Sequence, residues 1–309
     1  MSVLLGKLLP LLIVAMVCGA AVIEQVDDTD LIHMLTGEDN VIVLFTKNNC
    51  PKCDELEQTL ENVEKELKEN VGAIVVKAMN SHMVNLYDPT KEPALIYFRR
   101  GVPLLYYGEN NAEDIVRMFS ENPEPAVKEL ADDNFEHLTQ ASTGATTGDW
   151  LVFFYSADCV FCLRLHATWE AVGAHLKHRL NVARINRLEA GISTAKRFGI
   201  VESPEFILLR QGKVYRYKSK LYTAQQFIDF ATKDFAKQTN PEAVPPEVNN
   251  MNNFITEQLK TMGDNQQIVF IVGGVVVLVI LAALLIKCKA SKNPTPATVK
   301  KSNKAKKAK

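Results

Sequence analysis

No glycine-rich loop in this 309-residue sequence is placed to cradle a phosphate, and no pair of acids reads as a hydrolase. Histidine is scarce. The six residues are scattered, and the one ligand-like spacing, His175 with His178 at i,i+3, reads as a solvated helix face. No ordered series of carboxylates forms a calcium loop. These absences leave nucleotide chemistry, acid-pair hydrolysis and histidine-ligated metals without a basis, and no cofactor is called for. Cysteine, by contrast, is patterned. Four of the six cysteines form two Cys-x-x-Cys pairs, Cys50-Pro51-Lys52-Cys53 and Cys159-Val160-Phe161-Cys162. Each follows an apolar strand-like run and opens a helix-like run. A thiol at a helix N-terminus feels unpaired backbone N–H groups and the positive end of the macrodipole, and both favour the thiolate. A shared zinc site is disfavoured, because Cys53 and Cys159 are 106 residues apart and each pair has its own local context.

The ends of the chain predict a membrane-embedded secretory protein. Residues 1–20 read as a signal peptide, with Lys7 before the short apolar run Leu8–Val17 and small residues at Cys18-Gly19-Ala20. Ile268–Ile286 has 19 residues without a charge, about the length that crosses a ~30 Å hydrocarbon core. After it come nine lysines and no acid, which orients the tail to the cytosol and residues 21–267 to the lumen. The net charge of −1 hides this split: setting aside the tail lysines and Lys7 leaves 25 basic against 36 acidic residues, about −11. The basic tail reads as a topology and membrane-surface feature and not as a nucleic-acid binder. Lys306 and Lys307 resemble the dilysine retrieval signal of type I endoplasmic reticulum membrane proteins, which implies contact with coat machinery. Cys288 is either a palmitoylation site or idle.

The expected luminal segment repeats itself. Val41–Phe45 and Leu151–Tyr155 are runs of buried-strand type, each leading into a cysteine pair and a helix. The buried face is Cys53, Leu56, Leu60, Val63 and Leu67 in the first copy. In the second it is Cys162, Leu165, Trp169, Val172 and Leu176, at a constant offset of 109. Strands follow at Ala73–Val76 and Val182–Ile185, then X-Pro strands at Pro93 with Ala94–Phe98 and at Pro204 with Glu205–Leu209. Turns at Arg100-Gly101 and Gln211-Gly212 lead to Leu104–Tyr107 and Val214–Tyr217. Helices around Ala112–Phe119 and Thr223–Phe230 close the units. The segment 239–267, with Pro241, Pro245 and Pro246, reads as a flexible stalk.

This order of strand, Cys-x-x-Cys, helix, strand and X-Pro hairpin resembles the thioredoxin fold, over roughly residues 22–238. It is most similar to the protein disulfide isomerase family and its thioredoxin-related transmembrane branch. The expected fold class is therefore α/β: two tandem thioredoxin-fold domains, each a mixed central sheet flanked by helices, plus one transmembrane helix. The expected segments are 1–20 signal peptide, 21–125 first and more divergent domain, 126–238 second domain, 239–267 stalk, 268–286 span and 287–309 basic tail. The resemblance implies that Cys50 and Cys159 are exposed nucleophiles and that Cys53 and Cys162 resolve the mixed disulfide. It also implies that Pro93 and Pro204 are cis and help hold an extended substrate, with Phe161 adding apolar surface.

Several departures from the family pattern bear on activity. Neither pair has a histidine between its cysteines. Lys52 favours the Cys50 thiolate, whereas Val160 and Phe161 bring no charge, so the second pair is expected to be less oxidising and slower to cycle. The buried carboxylate six residues before the first cysteine is replaced by Leu44 and Phe153. Asn49 and Asp158 stand where a tryptophan is usual, and Asp158 disfavours the Cys159 thiolate. Leu221 takes the place of an arginine, with Lys218 and Lys220 nearby. Two functions stay open. One is a membrane-anchored thiol–disulfide oxidoreductase of the endoplasmic reticulum acting on client proteins with cysteines or disulfides. The other is a weakly active or inactive thioredoxin-fold chaperone or adaptor, in which the disulfides are structural. Redox sensing is a minor third.

Overall fold

The computed structural model describes residues 22–247 except 38, 88–92 and 145–146, together with 277, 278, 280 and 281. The chain divides into two compact units, Met1–Glu247 and Val248–Lys309. The expected signal peptide, most of the stalk, the basic tail and nearly all of Ile268–Ile286 lie outside the described residues. Val277, Leu278, Ile280 and Leu281 are helical and exposed. Among the described residues no helix is long and apolar enough to cross a membrane.

Unit Met1–Glu247 holds two sheets of the same plan. The first runs Glu24–Val26, Ala73–Met79, Asn40–Thr46, Ala94–Arg99, Val102–Leu105. The second runs Lys128–Leu130, Asn181–Asn186, Trp150–Tyr155, Glu205–Arg210, Lys213–Arg216, Glu242–Ala243. In each, the strand before the cysteine pair is central, parallel to one neighbour and antiparallel to the other. A central strand covered on both faces must be apolar on both, which is why its run is continuous. The two-residue alternation still sorts side chains by face. Ile42 and Leu44 point toward Leu56, Leu60, Val63 and Leu67 of helix Pro51–Val71, while Val41, Val43 and Phe45 face Leu31 and Val84. In the second sheet Leu151 and Phe153 join Trp169 and Val172, while Trp150, Val152 and Phe154 meet Phe135 and Phe198.

The hairpin turns are equivalent as well. Arg100 and Gly101 have φ of 47° and 82°, and Gln211 and Gly212 have 51° and 69°. Two consecutive positive φ values are what a two-residue turn needs to match strand twist. The edge strands Glu24–Val26 and Lys128–Leu130, and the helices Asp28–Thr36 and Ile192–Arg197, were not read from the sequence. The helix after the second cysteine pair is expected to be continuous but is divided into Val160–Arg164 and His166–Leu176. Leu165 N–H bonds Cys162 O at 3.0 Å, a tight 3₁₀ closure, and the ladder resumes with Trp169 N–H to Leu165 O at 2.7 Å.

The halves are not separate bodies joined by a linker. One apolar cluster contains Leu104, Ile115, Val116 and Phe119 of the first and Val127, Ala171, Val172 and Ala174 of the second. Helix His166–Leu176 packs on strand Val102–Leu105. Gly173 lets this helix approach the connecting segment, since a Cβ there would lie 2.8 Å from Val127 Cγ2. At the seam Arg99 and Glu170, 0% and 1% exposed, form an ion pair at 2.9 Å. Arg99 Nη1 also donates to Glu124 O at 2.8 Å, and the Glu170 oxygen accepts from Ala126 N–H at 3.1 Å.

Candidate active site

Both cysteine pairs are disulfides at the starts of helices. Cys50–Cys53 has an S–S distance of 2.06 Å and Cys159–Cys162 one of 2.12 Å, each with Cα atoms 5.2 Å apart. In each, the first sulfur caps the helix: Cys53 N–H points to Cys50 Sγ at 3.2 Å and Cys162 N–H to Cys159 Sγ at 3.0 Å. Local sequence explains the start of the first helix. Pro51 occupies a first-turn position, where a missing N–H costs nothing, and Asn49 takes the left-handed conformation that asparagine tolerates.

The sites differ in access. Cys53 and Cys162 are buried, at 1% and 0% exposure. Cys159 is partly exposed, but Cys50 is only 8% exposed, against the expectation that both leading cysteines face solvent. The Ser203–Pro204 bond is cis, and Ser203 O lies 3.8 Å from Cys159 Sγ. The bond preceding Pro93 involves a residue outside those described. Pro93 lines a cavity of about 360 Å³ with Lys52, Leu56, Leu105, Tyr106 and Tyr107, beside the first disulfide. Phe161 is 41% exposed and meets Tyr222 edge-on at 5.2 Å. Lys306 and Lys307 lie outside the described residues.

Beneath the disulfides, Leu44 and Phe153 are fully buried, and Phe153 stacks on Phe206 at 4.8 Å. The neighbouring strand sets a base opposite each: Lys77 pairs in register with Leu44, and Arg184 with Phe153. Each base meets a titratable side chain four residues after the resolving cysteine. Lys77 Nζ is 2.5 Å from Glu57 Oε1, and Arg184 Nη1 is 3.2 Å from His166 Nδ1. Sequence reasoning missed both pairs, although the offset of 109 already maps Glu57 onto His166. Since the guanidinium donates, neutral His166 carries its proton on Nε2, which is buried and has no partner among the described residues. Burial, and then the charge of Arg184, push the His166 value down to about 4. A histidine depressed below its unfolded value of about 6.5 contributes stability that is present above that pH and lost as pH falls toward 4. His166→Leu, which keeps the packing against Tyr155 and Phe153, is therefore expected to flatten the drop in urea midpoint between pH 7 and pH 5.

Residues 126–233 match the Thioredoxin family model. A thioredoxin domain-containing protein of Theileria parva is 41% identical over 106 residues, covering 34% of this chain and 48% of that protein. The protein disulfide-isomerase TMX3 of Xenopus laevis is 26% identical over 113 residues, covering 36% and 24%. The chain thus spans less than half the length of these relatives. Among solved structures, ERdj5 form I is 16% identical with a TM-score of 0.40, covering 69% of this chain and 29% of that one. Residues 126–233 thus form a thioredoxin domain, and the chain is similar over part of its length to protein disulfide isomerase-like proteins.

Proposed function

We propose that the chain is a thiol–disulfide oxidoreductase whose working centre is Cys159–Cys162. The observation that carries this reading is a partly exposed first cysteine and a fully buried second one, at a helix start within a thioredoxin domain. A substrate thiolate attacks Cys159 Sγ, the S–S bond breaks, and Cys162 leaves as a thiolate that is then protonated. A second substrate thiolate attacks the mixed disulfide and releases Cys159. The substrate dithiol becomes a disulfide and the site a dithiol; the reverse sequence reduces a substrate. Exposed Val160, Phe161, Val201 and Leu221 lie on segments that meet at this disulfide and suit apolar, unfolded client chains. Pro204 follows the carbonyl that faces Cys159 and belongs to the same client surface.

The buried Cys50 favours a different part for the first half. There the Cys50–Cys53 disulfide is structural, and the groove beside Pro93 and Tyr106 binds clients without exchanging electrons. The charge-free segment Ile268–Ile286, the basic tail and the Lys306-Lys307 pair support anchoring as a single-pass type I protein of the endoplasmic reticulum, with coat machinery as a tail partner.

The test is a redox titration of the purified full-length chain in glutathione buffers, with differential alkylation read by mass spectrometry. Cys159–Cys162 is expected to exchange within minutes, with a midpoint near the reticulum poise of about −180 to −210 mV. Cys50–Cys53 is expected to stay oxidised. A second disulfide that resists reduction below about −300 mV would make it structural and sink the oxidoreductase reading.

A further inference from the structure

Arg184, Arg197, Arg210 and Arg216 of the second half are ion-paired, whereas no described carboxylate lies within ion-pair distance of Arg164, Arg179 or Arg187. Of these three, Arg187 is the one hydrogen-bonded to the segment beside Cys159. Its backbone N–H bonds Tyr155 O at 2.8 Å, which holds it at the end of the central strand, just ahead of the cysteine pair. Its half-buried guanidinium turns inward, and Nε donates to Ser203 Oγ at 2.6 Å. That hydroxyl is also 2.9 Å from Ser156 Oγ, and the carbonyl of the same serine faces Cys159 Sγ. A cation is thus built into the floor of the site, one residue removed from the reactive sulfur.

We propose that Arg187 is a positioning residue of the second disulfide site, fixing Ser203 against Cys159 and supplying the positive charge that favours the Cys159 thiolate. This rests on the exchange reading above. When the disulfide is reduced by two electrons, the sulfur that keeps its negative charge is the one best stabilised by nearby dipoles and cations. The Cys162 N–H supplies a dipole, and no charged residue lies between the cysteines. The other charged groups around the site divide in sign. Asp158, Glu189 and Glu202 are exposed, and solvent and salt screen them. Lys218 and Lys220 are exposed on the segment before the last helices, and Arg164 lies two residues after Cys162. Neutral His166 packs beneath, against Tyr155 and Phe153. Arg187 is the cation hydrogen-bonded to the segment that touches Cys159.

The test needs no substrate. The full-length chain is reduced and desalted, and the alkylation rate of Cys159 by iodoacetamide is followed from pH 4 to 9 by mass spectrometry. Arg187→Gln is expected to slow alkylation at pH 6 by roughly threefold to tenfold, the size of one partly screened charge, and to move the pH midpoint upward. Arg187→Lys is expected to recover most of the loss. Ser203→Ala, which keeps the cation, is expected to move the midpoint less than Arg187→Gln does. Superimposable profiles for wild type and Arg187→Gln would overturn the proposal. So would a loss that Arg187→Lys fails to recover and Ser203→Ala reproduces in full, because the effect would then be packing alone. A shifted profile in a protein that does not exchange with peptide disulfides would leave this inference standing and remove the function proposed above.

Discussion

Cys159→Ser is expected to reduce exchange with a small peptide disulfide to the rate seen without protein, while Cys50→Ser leaves the rate unchanged. The asymmetry follows from access. An attacking group must approach a sulfur along the S–S axis, and Cys50 is 8% exposed at a closed helix start, whereas Cys159 is partly exposed. The companion variant Cys162→Ser removes the resolving thiol and leaves the nucleophile. It is expected to accumulate a mixed disulfide at Cys159, visible as a mass increase that dithiothreitol removes. The measurement is turnover of the peptide disulfide by the reduced full-length chain, with intact-mass analysis of the trapped species. Equal losses from Cys50→Ser and Cys159→Ser would mean that the first pair also turns over, and that opening of its helix start precedes attack.

Glu170→Ala is expected to lower stability by about 3–5 kcal/mol, the usual cost of leaving one member of a buried ion pair without its partner. Arg99 would then be a charge at 0% exposure with two carbonyl partners and no anion. Ala126 N–H would lose its acceptor too. The double variant Arg99→Met plus Glu170→Leu is expected to recover most of that loss, because desolvating two charges costs several kcal/mol per ion before their attraction is counted. Urea unfolding of wild type, Arg99→Met, Glu170→Leu and the double variant gives the coupling directly. A double variant as unstable as Glu170→Ala would show that the hydrogen bonds to 122–126, more than the charges, hold the seam.

The repeat was legible because burial imposes it. Leu44 and Phe153, Leu60 and Trp169, and Val63 and Val172 keep the same spacing since each central strand is covered on both faces and each helix turns one side inward. The three-residue edge strands Glu24–Val26 and Lys128–Leu130 are too short to show an alternation. Arg99 and Arg100 are adjacent and chemically alike, yet one is buried and the other pairs at the surface with Glu124. The reason lies in Glu170, 71 positions away and flanked by Trp169 and Ala171, and no local pattern carries that information. Arg187 escaped for the same cause, since its partner Ser203 is brought near only by the pairing of Trp150–Tyr155 with Glu205–Arg210. The burial of Cys50 likewise cannot be read from the Cys-Pro-Lys-Cys motif alone.

The shared apolar cluster gives the order of synthesis a physical meaning. A ribosome adds about 5–20 residues per second. Strand Val102–Leu105, with Leu104 and Leu105 buried, has emerged by the time Ser120 is made, yet helix His166–Leu176, which packs on it, has not. For roughly 3–10 s the nascent chain shows a greasy surface that its own later half is built to hide. For most of that interval the first cysteine pair has been made and the second has not. A helper that shields apolar surface has its best opportunity then, and a stall or cut between the halves would leave a fragment prone to self-association.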